Sequence, residues 1–296
     1  MYEKILVPLD GSKAAEMAIP YAVEVTAKLD SQMILTSVCE SIPADTQQLY
    51  QVYLERITEQ VQNQLKDWKP KKEKEVQSKV LIGKPADEIL RYADDNNVAL
   101  IALTSFGSSG RSHWFLGNNV AKILQATSKP LLLIRTPASN VAIRQKRLVR
   151  KILVPLDGSE LGATALPYAE LLGQALGTEV VLLHVLEQMR LPLLSPEIVP
   201  PHSEPVPDES KRAESFAYLN GIANRLKKWG LKVSSTVVLG SAADQIIDYA
   251  KANAIDLIAM SSHGRTGIGR WIFGSVTDKV LHAGDTAVLV IRPPNA

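Results

Sequence analysis

The chain has 296 residues, enough at about 150 per domain for two domains that each build their own core. Hydrophobic residues make up 46% and charged residues 22%, which excludes a disordered chain, a collagen-like fibre and a disulfide-stapled mini-protein. With 33 Lys and Arg against 31 Asp and Glu, the net charge of +2 gives no global electrostatic case for nucleic acid, and the single cysteine, Cys39, excludes an internal disulfide and fits a cytosolic setting.

The N-terminus leads straight into an apolar run, Ile5–Leu9, too short for a signal-peptide core, which reads as the first strand. Pro8-Leu9-Asp10-Gly11-Ser12 forms the turn after it, with Ser12 as N-cap of a helix running toward Leu29. Met33–Val38, Val80–Ile82, Ala99–Leu103 and Leu131–Ile134 are apolar on both faces and read as fully buried strands. The charge-dense stretch Lys66–Lys79 reads as a helix end and loop in water. Helical spacing spans Pro85 to Asn96, with Pro85 in the first turn, and a third helix starts near Gly117 and ends before Pro130. This alternation predicts an α/β fold with a five-stranded parallel sheet and helices on both faces. No run is long enough to span a membrane, so the chain reads as soluble and cytoplasmic, without a membrane partner.

The pattern then begins again. KILVPLDGS occupies residues 4–12 and recurs at 151–159, and Ala18-Ile19-Pro20-Tyr21-Ala22 matches Ala165-Leu166-Pro167-Tyr168-Ala169. Val80-Leu81-Ile82-Gly83 corresponds to Val237-Val238-Leu239-Gly240, and the run ending at Arg135 to the run ending at Arg292. A period this long, seen twice, means two tandem doubly wound domains, 1–137 and 151–296, joined by a linker over 138–150. The basic cluster Arg144, Lys146, Arg147, Arg150 and Lys151 has no interleaved aromatic residues, so it reads as solvated linker rather than a nucleic-acid patch. Proline-rich Leu191–Pro207 holds the extra residues of the second half and cannot be helix or central strand. It reads as a mobile loop after the second strand, with a lid over a site as the alternative.

In an open parallel sheet, ligands bind beyond the carboxyl ends of strands where the strand order reverses. Two loops per half qualify. The turn after the first strand carries Pro8 and Asp10, or Pro155 and Asp157; the Asp either accepts hydrogen bonds from a ribose or accepts N–H bonds within its own turn. The loop after the fourth strand runs, in the second half, from Met260-Ser261-Ser262-His263-Gly264-Arg265 to Gly274-Ser275-Val276-Thr277. Gly264 and Gly274 allow close backbone approach, and Gly274-Ser275 opens the last helix, whose free N–H groups and dipole favour an anion. Arg265 and Arg270 add charge. The competing reading is a glycine-tolerant surface loop with an ordinary serine cap.

The paired VPLDGS openings and this loop resemble the universal stress protein family, whose nucleotide-binding members carry G-x2-G-x9-G-[S/T]. The second half reads Ser261-x2-Gly264-x9-Gly274-Ser275, and the first Thr104-x2-Gly107-x9-Gly117-Asn118. The resemblance covers the whole chain twice. It implies the strand order 3-2-1-4-5 in each half, which brings both loops to one cleft. It implies ATP, with or without magnesium, as cofactor, with Asp157 at the ribose, the backbone after the second strand at Val185 near adenine, and the later glycines with Ser275 at the phosphates. The same roles in the first half fall to Asp10, Val38, Gly107, Gly117 and Asn118, where the motif is degenerate.

Other chemistry has little support, because the sequence holds no P-loop, H-E-x2-H, C-x2-C or G-x-S-x-G pattern. Of five dispersed histidines, His184 reads as a core residue and His263 stands in the candidate loop; Cys39 reads as a buried hydrophobe, and Trp114 and Trp271 as packing anchors. Two functions follow. One is a regulatory protein that binds adenine nucleotide mainly in the second half, with slow or no hydrolysis. The other is an interaction module that acts by dimerisation without nucleotide. The last strand of each half is an apolar edge, so the two halves are expected to pair there as an intrachain pseudo-dimer, and a homodimer of chains is compatible with the sequence.

Overall fold

The computed structural model describes residues 1–40, 44–68, 75–105, 116–135, 148–187, 209–264 and 273–293. The first half runs β1 (Lys4–Pro8), α1 (Lys13–Glu16), α2 (Ala18–Leu29), β2 (Gln32–Cys39), α3 (Ala44–Asp67), β3 (Gln77–Ile82), α4 (Pro85–Asp95), β4 (Leu100–Thr104), α5 (Asn118–Ala126) and β5 (Leu131–Ile134). The second half runs β6 (Lys151–Pro155), a 3-10 turn (Gly162–Ala165), α6 (Leu166–Leu176), β7 (Glu179–Leu186), α7 (Glu209–Lys228), β8 (Lys232–Leu239), α8 (Ala242–Ala252), β9 (Leu257–Ser261), α9 (Ser275–Ala283) and β10 (Ala287–Ile291). Ser12 caps α1 as expected, its Oγ accepting the Ala15 N–H. The helix after it is broken at Met17 rather than continuous to Leu29.

The strands form one sheet in the order β3-β2-β1-β4-β5-β10-β9-β6-β7-β8. Each half is parallel and has the expected order 3-2-1-4-5. The halves join where the two apolar edges meet, β5 and β10 pairing antiparallel with Leu132 opposite Leu289. Pairing there removes two exposed edges at once.

Alternate residues of the inner strands feed two cores. Ile5, Val7, Ile152 and Val154 pack under α2, α3, α6 and α7, while Leu6, Ile101, Leu153 and Ile258 pack under α4, α5, α8 and α9. Burial on both faces explains the continuous apolar runs, each fully buried Leu or Ile contributing about 1.5–3 kcal/mol. The expectation of full burial fails for Val80–Ile82. As the sheet edge, β3 leaves Gln77, Lys79 and Ile82 exposed and buries only Leu81 fully. β3 also starts inside the stretch expected to be loop, since Gln77–Lys79 pair with Ile34–Thr36. Cys39 and His184 are buried as expected, with His184 edge-on to Tyr218.

Arg150 of the basic cluster is exposed, while the backbone beside it is bonded to the body of the protein. Val149 is buried, and buried Glu24 of α2 accepts the N–H groups of Leu148 at 2.9 Å and Val149 at 3.2 Å. Asp256 accepts those of Arg150 and Lys151. The proline-rich segment 191–207, the residues 136–147, Trp114 and Trp271 lie outside the described residues.

Candidate functional site

β1 lies between β2 and β4, and β6 between β7 and β9, so the strand order reverses at the carboxyl ends of β1 and β6. In the second half, Pro155 closes β6 and the chain turns at Asp157. Asp157 Oδ1 accepts the Ser159 N–H at 2.9 Å and the Ser159 hydroxyl at 2.7 Å, and Ser159 Oγ accepts the Gly162 N–H at 2.9 Å. The aspartate thus serves its own turn, as the local reading anticipated. Its other oxygen faces the strand-four loop: a β-carbon on Gly264 would lie 2.5 Å from Asp157 Oδ2, and one on Gly162 would lie 2.3 Å from Oδ1. Two glycines therefore make the space this carboxylate fills, and the loops after β6 and β9 meet there.

The end of β9 is tied to the start of α9. Ser262 O accepts the Gly274 N–H at 2.9 Å, and Ser261 O accepts the Thr277 hydroxyl at 2.9 Å. Ser261, which stands where the family motif has glycine, is buried, and its Oγ accepts the His263 N–H at 3.3 Å. His263 is buried too, its Nδ1 2.9 Å from Ser262 Oγ. Met260 sits in the core, and Val276 and Val185 pack partly buried against that same core. Val185 lies near the carboxyl end of β7, two residues past the Pro155–Leu183 pair.

Gly274 is the N-cap of α9 with φ −56° and ψ 144°, and among the described residues no side chain caps the helix. Among the described residues, a β-carbon on Gly274 would meet nothing nearer than 3.6 Å. Neither the backbone angles nor the packing needs glycine at this position, unlike Gly264. Ser275 is exposed as the first helical residue. The N–H groups of that turn and the positive end of the helix dipole suit an anion. Arg265 lies outside the described residues. Among the described residues, no group of three or more His, Cys, Asp or Glu could hold a metal ion.

The first half repeats this frame with differences. Asp10 Oδ1 accepts the Ser12 N–H at 3.0 Å and the Ser12 hydroxyl at 2.6 Å, and Gly117 N–H bonds to Ser105 O at 3.0 Å. Gly117 caps α5 with φ −58°, Asn118 is exposed as its first residue, and Thr104 is buried in β4. Pro8 and Val38 are partly buried at the strand ends, and Gly107 lies outside the described residues. The position of Gly162 is taken by Ala15, whose N–H makes the same bond to Ser12 Oγ, at 3.1 Å. Ala15 is buried and Asp10 exposed, whereas Asp157 is partly buried. The sequence reading missed this Gly162/Ala15 contrast, although it lies inside the aligned repeat.

Comparisons with known proteins find the same sequence family and the same fold. The sequence profile of the Universal stress protein family matches residues 1–135 and 149–292. Universal stress protein Slr1230 of Synechocystis sp. is 26% identical over 98% of this chain and 100% of its own length. Universal stress protein MJ0531 of Methanocaldococcus jannaschii is 28% identical over 55% of this chain and 95% of its own. A universal stress protein from Archaeoglobus fulgidus has the same fold over 99% of both chains, with a TM-score of 0.69 and 19% identity.

Proposed function

The chain belongs to the universal stress protein family, and from that premise we propose that it is a cytoplasmic stress-response regulator that binds ATP, with or without magnesium, in the cleft between β6 and β9. The carrying observation is Gly274: the described residues leave room for a side chain there, yet the chain presents bare backbone at the start of a helix. Phosphate is the ligand that uses such a start, taking N–H bonds and the dipole together. In this reading Gly264, Gly274 and Ser275 line the phosphates, Asp157 takes the ribose, and the backbone at Val185 meets adenine. We assign no catalytic residue. Hydrolysis needs a base aimed at water, and His263, the histidine of this loop, is buried against Ser262.

The two domains, 1–137 and 151–296, act as an intrachain pseudo-dimer through β5 and β10. A second reading, an interaction module without nucleotide, is favoured for the first half. There Asn118 replaces the serine, buried Thr104 stands at the first motif position and buried Ala15 takes the place of Gly162.

The test is to purify the chain without added nucleotide, denature it, and identify and count released small molecules by mass spectrometry. About one adenine nucleotide per chain supports a single site. About two means that both halves bind. None, with no calorimetric response to added Mg-ATP, overturns the ATP reading in favour of the interaction module.

A further inference from the structure

The last strand of each half is followed directly by an arginine, and each arginine reaches across the β5–β10 seam to a helix of the other half. Arg135 donates from Nη1 to Leu281 O at 2.6 Å and from Nη2 to His282 O at 3.1 Å. Both carbonyls belong to the last turn of α9, where intrahelical partners run out and a cation meets the negative end of the dipole. Arg292 makes the reciprocal bond, from Nη2 to Gln125 O at 2.8 Å in the last turn of α5. The exchange is unequal. Arg135 is buried and holds two carbonyls; Arg292 is partly exposed and bonds one.

The other end of α9 is Gly274-Ser275. With nine residues the helix is only about 13 Å long, so what fixes one end sets the other. Among the described residues no side chain caps its start, which is tied down by hydrogen bonds from Gly274 N–H to Ser262 O and Thr277 Oγ1 to Ser261 O and by the packing of Phe273 and Val276. We propose that Arg135 is a positioning residue for the second half's nucleotide site: the first half clamps α9 from behind, so that the first-turn N–H groups are held toward the cleft. The site is then incomplete without the other half of the chain. This rests on the ATP reading above.

The experiment uses the full chain with R135Q, R135K and R292Q, well below the melting temperature of each. Two quantities are read: the amide resonances of Ser275–Thr277 without nucleotide, and the dissociation constant for Mg-ATP. R135Q is expected to shift those resonances and weaken ATP binding about fivefold, the size of a helix-end charge effect. R135K restores the charge and recovers part of both, and R292Q, which acts on α5, leaves both as in the parent. Resonances that R135Q moves no more than R292Q does overturn the proposal. If R135Q does not fold, R135K decides: shifted resonances support the clamp and unshifted ones overturn it. If the parent chain itself binds no Mg-ATP, the ATP reading fails, and the nucleotide-free resonances alone decide whether Arg135 sets the start of α9.

Discussion

The carboxylate of Asp157 lies so close to Gly264 that a β-carbon on the glycine would sit 2.5 Å from Oδ2. The loop after β6 thus lies tight against the loop after β9, and this makes a direct prediction. Gly264→Ala must push one loop away, at a cost of about 1–3 kcal/mol typical of overpacking. Asp157→Ala removes the obstacle, so the double variant should cost clearly less than the sum of the single changes. Urea unfolding of the four proteins measures this. Strict additivity would mean that the two residues do not meet.

The aspartate is held from its other side by Gly162, where a β-carbon would fall 2.3 Å from Oδ1 and 3.1 Å from Ser159 Oγ. Gly162→Ala gives the second half the residue that the first half has at Ala15. It should drive Asp157 outward, toward the exposed state of Asp10. If Asp157 accepts a hydrogen bond from the ribose as proposed, that charge-assisted bond contributes about 1.5–3 kcal/mol, so ATP affinity should fall at least about tenfold. Ala15→Gly should leave the second site unchanged. Calorimetric titration of both variants checks this, and parent-like affinity in Gly162→Ala would remove Asp157 from the site.

Gly274 separates stability from binding. Aspartate is among the best N-cap residues and sits at the positive end of the helix dipole, and packing leaves its β-carbon room. Gly274→Asp should therefore keep stability or raise it by about 0.5 kcal/mol, while its charge repels phosphate and abolishes ATP binding. Thermal melting and calorimetry on the same sample test the pair of effects. A variant that still binds ATP would move the phosphates away from α9.

Much of the fold was legible because burial on both faces writes itself into a sequence as unbroken apolar runs. Leu131–Ile134 and Ala287–Ile291 could be recognised both as strands and as edges needing a partner, and they pair with each other. β3 was misjudged for the same reason: Val80–Ile82 is apolar, but its place at the sheet edge leaves Ile82 exposed, and a run of three residues does not record which neighbours it will have. The docking of Val149 on Glu24 was hidden because it depends on a carboxylate from α2, far away in sequence. At the site, the repeated turn and the glycines were readable from the motif. The unequal surroundings of Asp10 and Asp157 were not, because exposure depends on how distant loops pack around each turn, and the one local difference, Ala15 against Gly162, is a single methyl group.

Contact between the halves also carries a pH signature. Tyr2, near the start of the first half, packs edge-on against Tyr168 of the second, with ring centroids 5.9 Å apart at 77°, and donates a long 3.4 Å hydrogen bond to Tyr168 O. Burial, with a smaller contribution from Tyr168, holds the Tyr2 phenol well above the ordinary tyrosine range. The folded state therefore favours the neutral phenol. Its contribution to stability is complete below the unfolded value near 10 and is lost as pH rises above it. Tyr2→Phe keeps the ring in place and gives up only a weak bond, so it should cost less than about 1 kcal/mol at neutral pH. Between pH 9 and 11 it should lose stability less steeply than the parent. Some loss persists, because burial also raises Tyr21 and Tyr53. Urea midpoints across that range measure the difference, and parallel curves for the two proteins would show that Tyr2 ionises without opposing the fold.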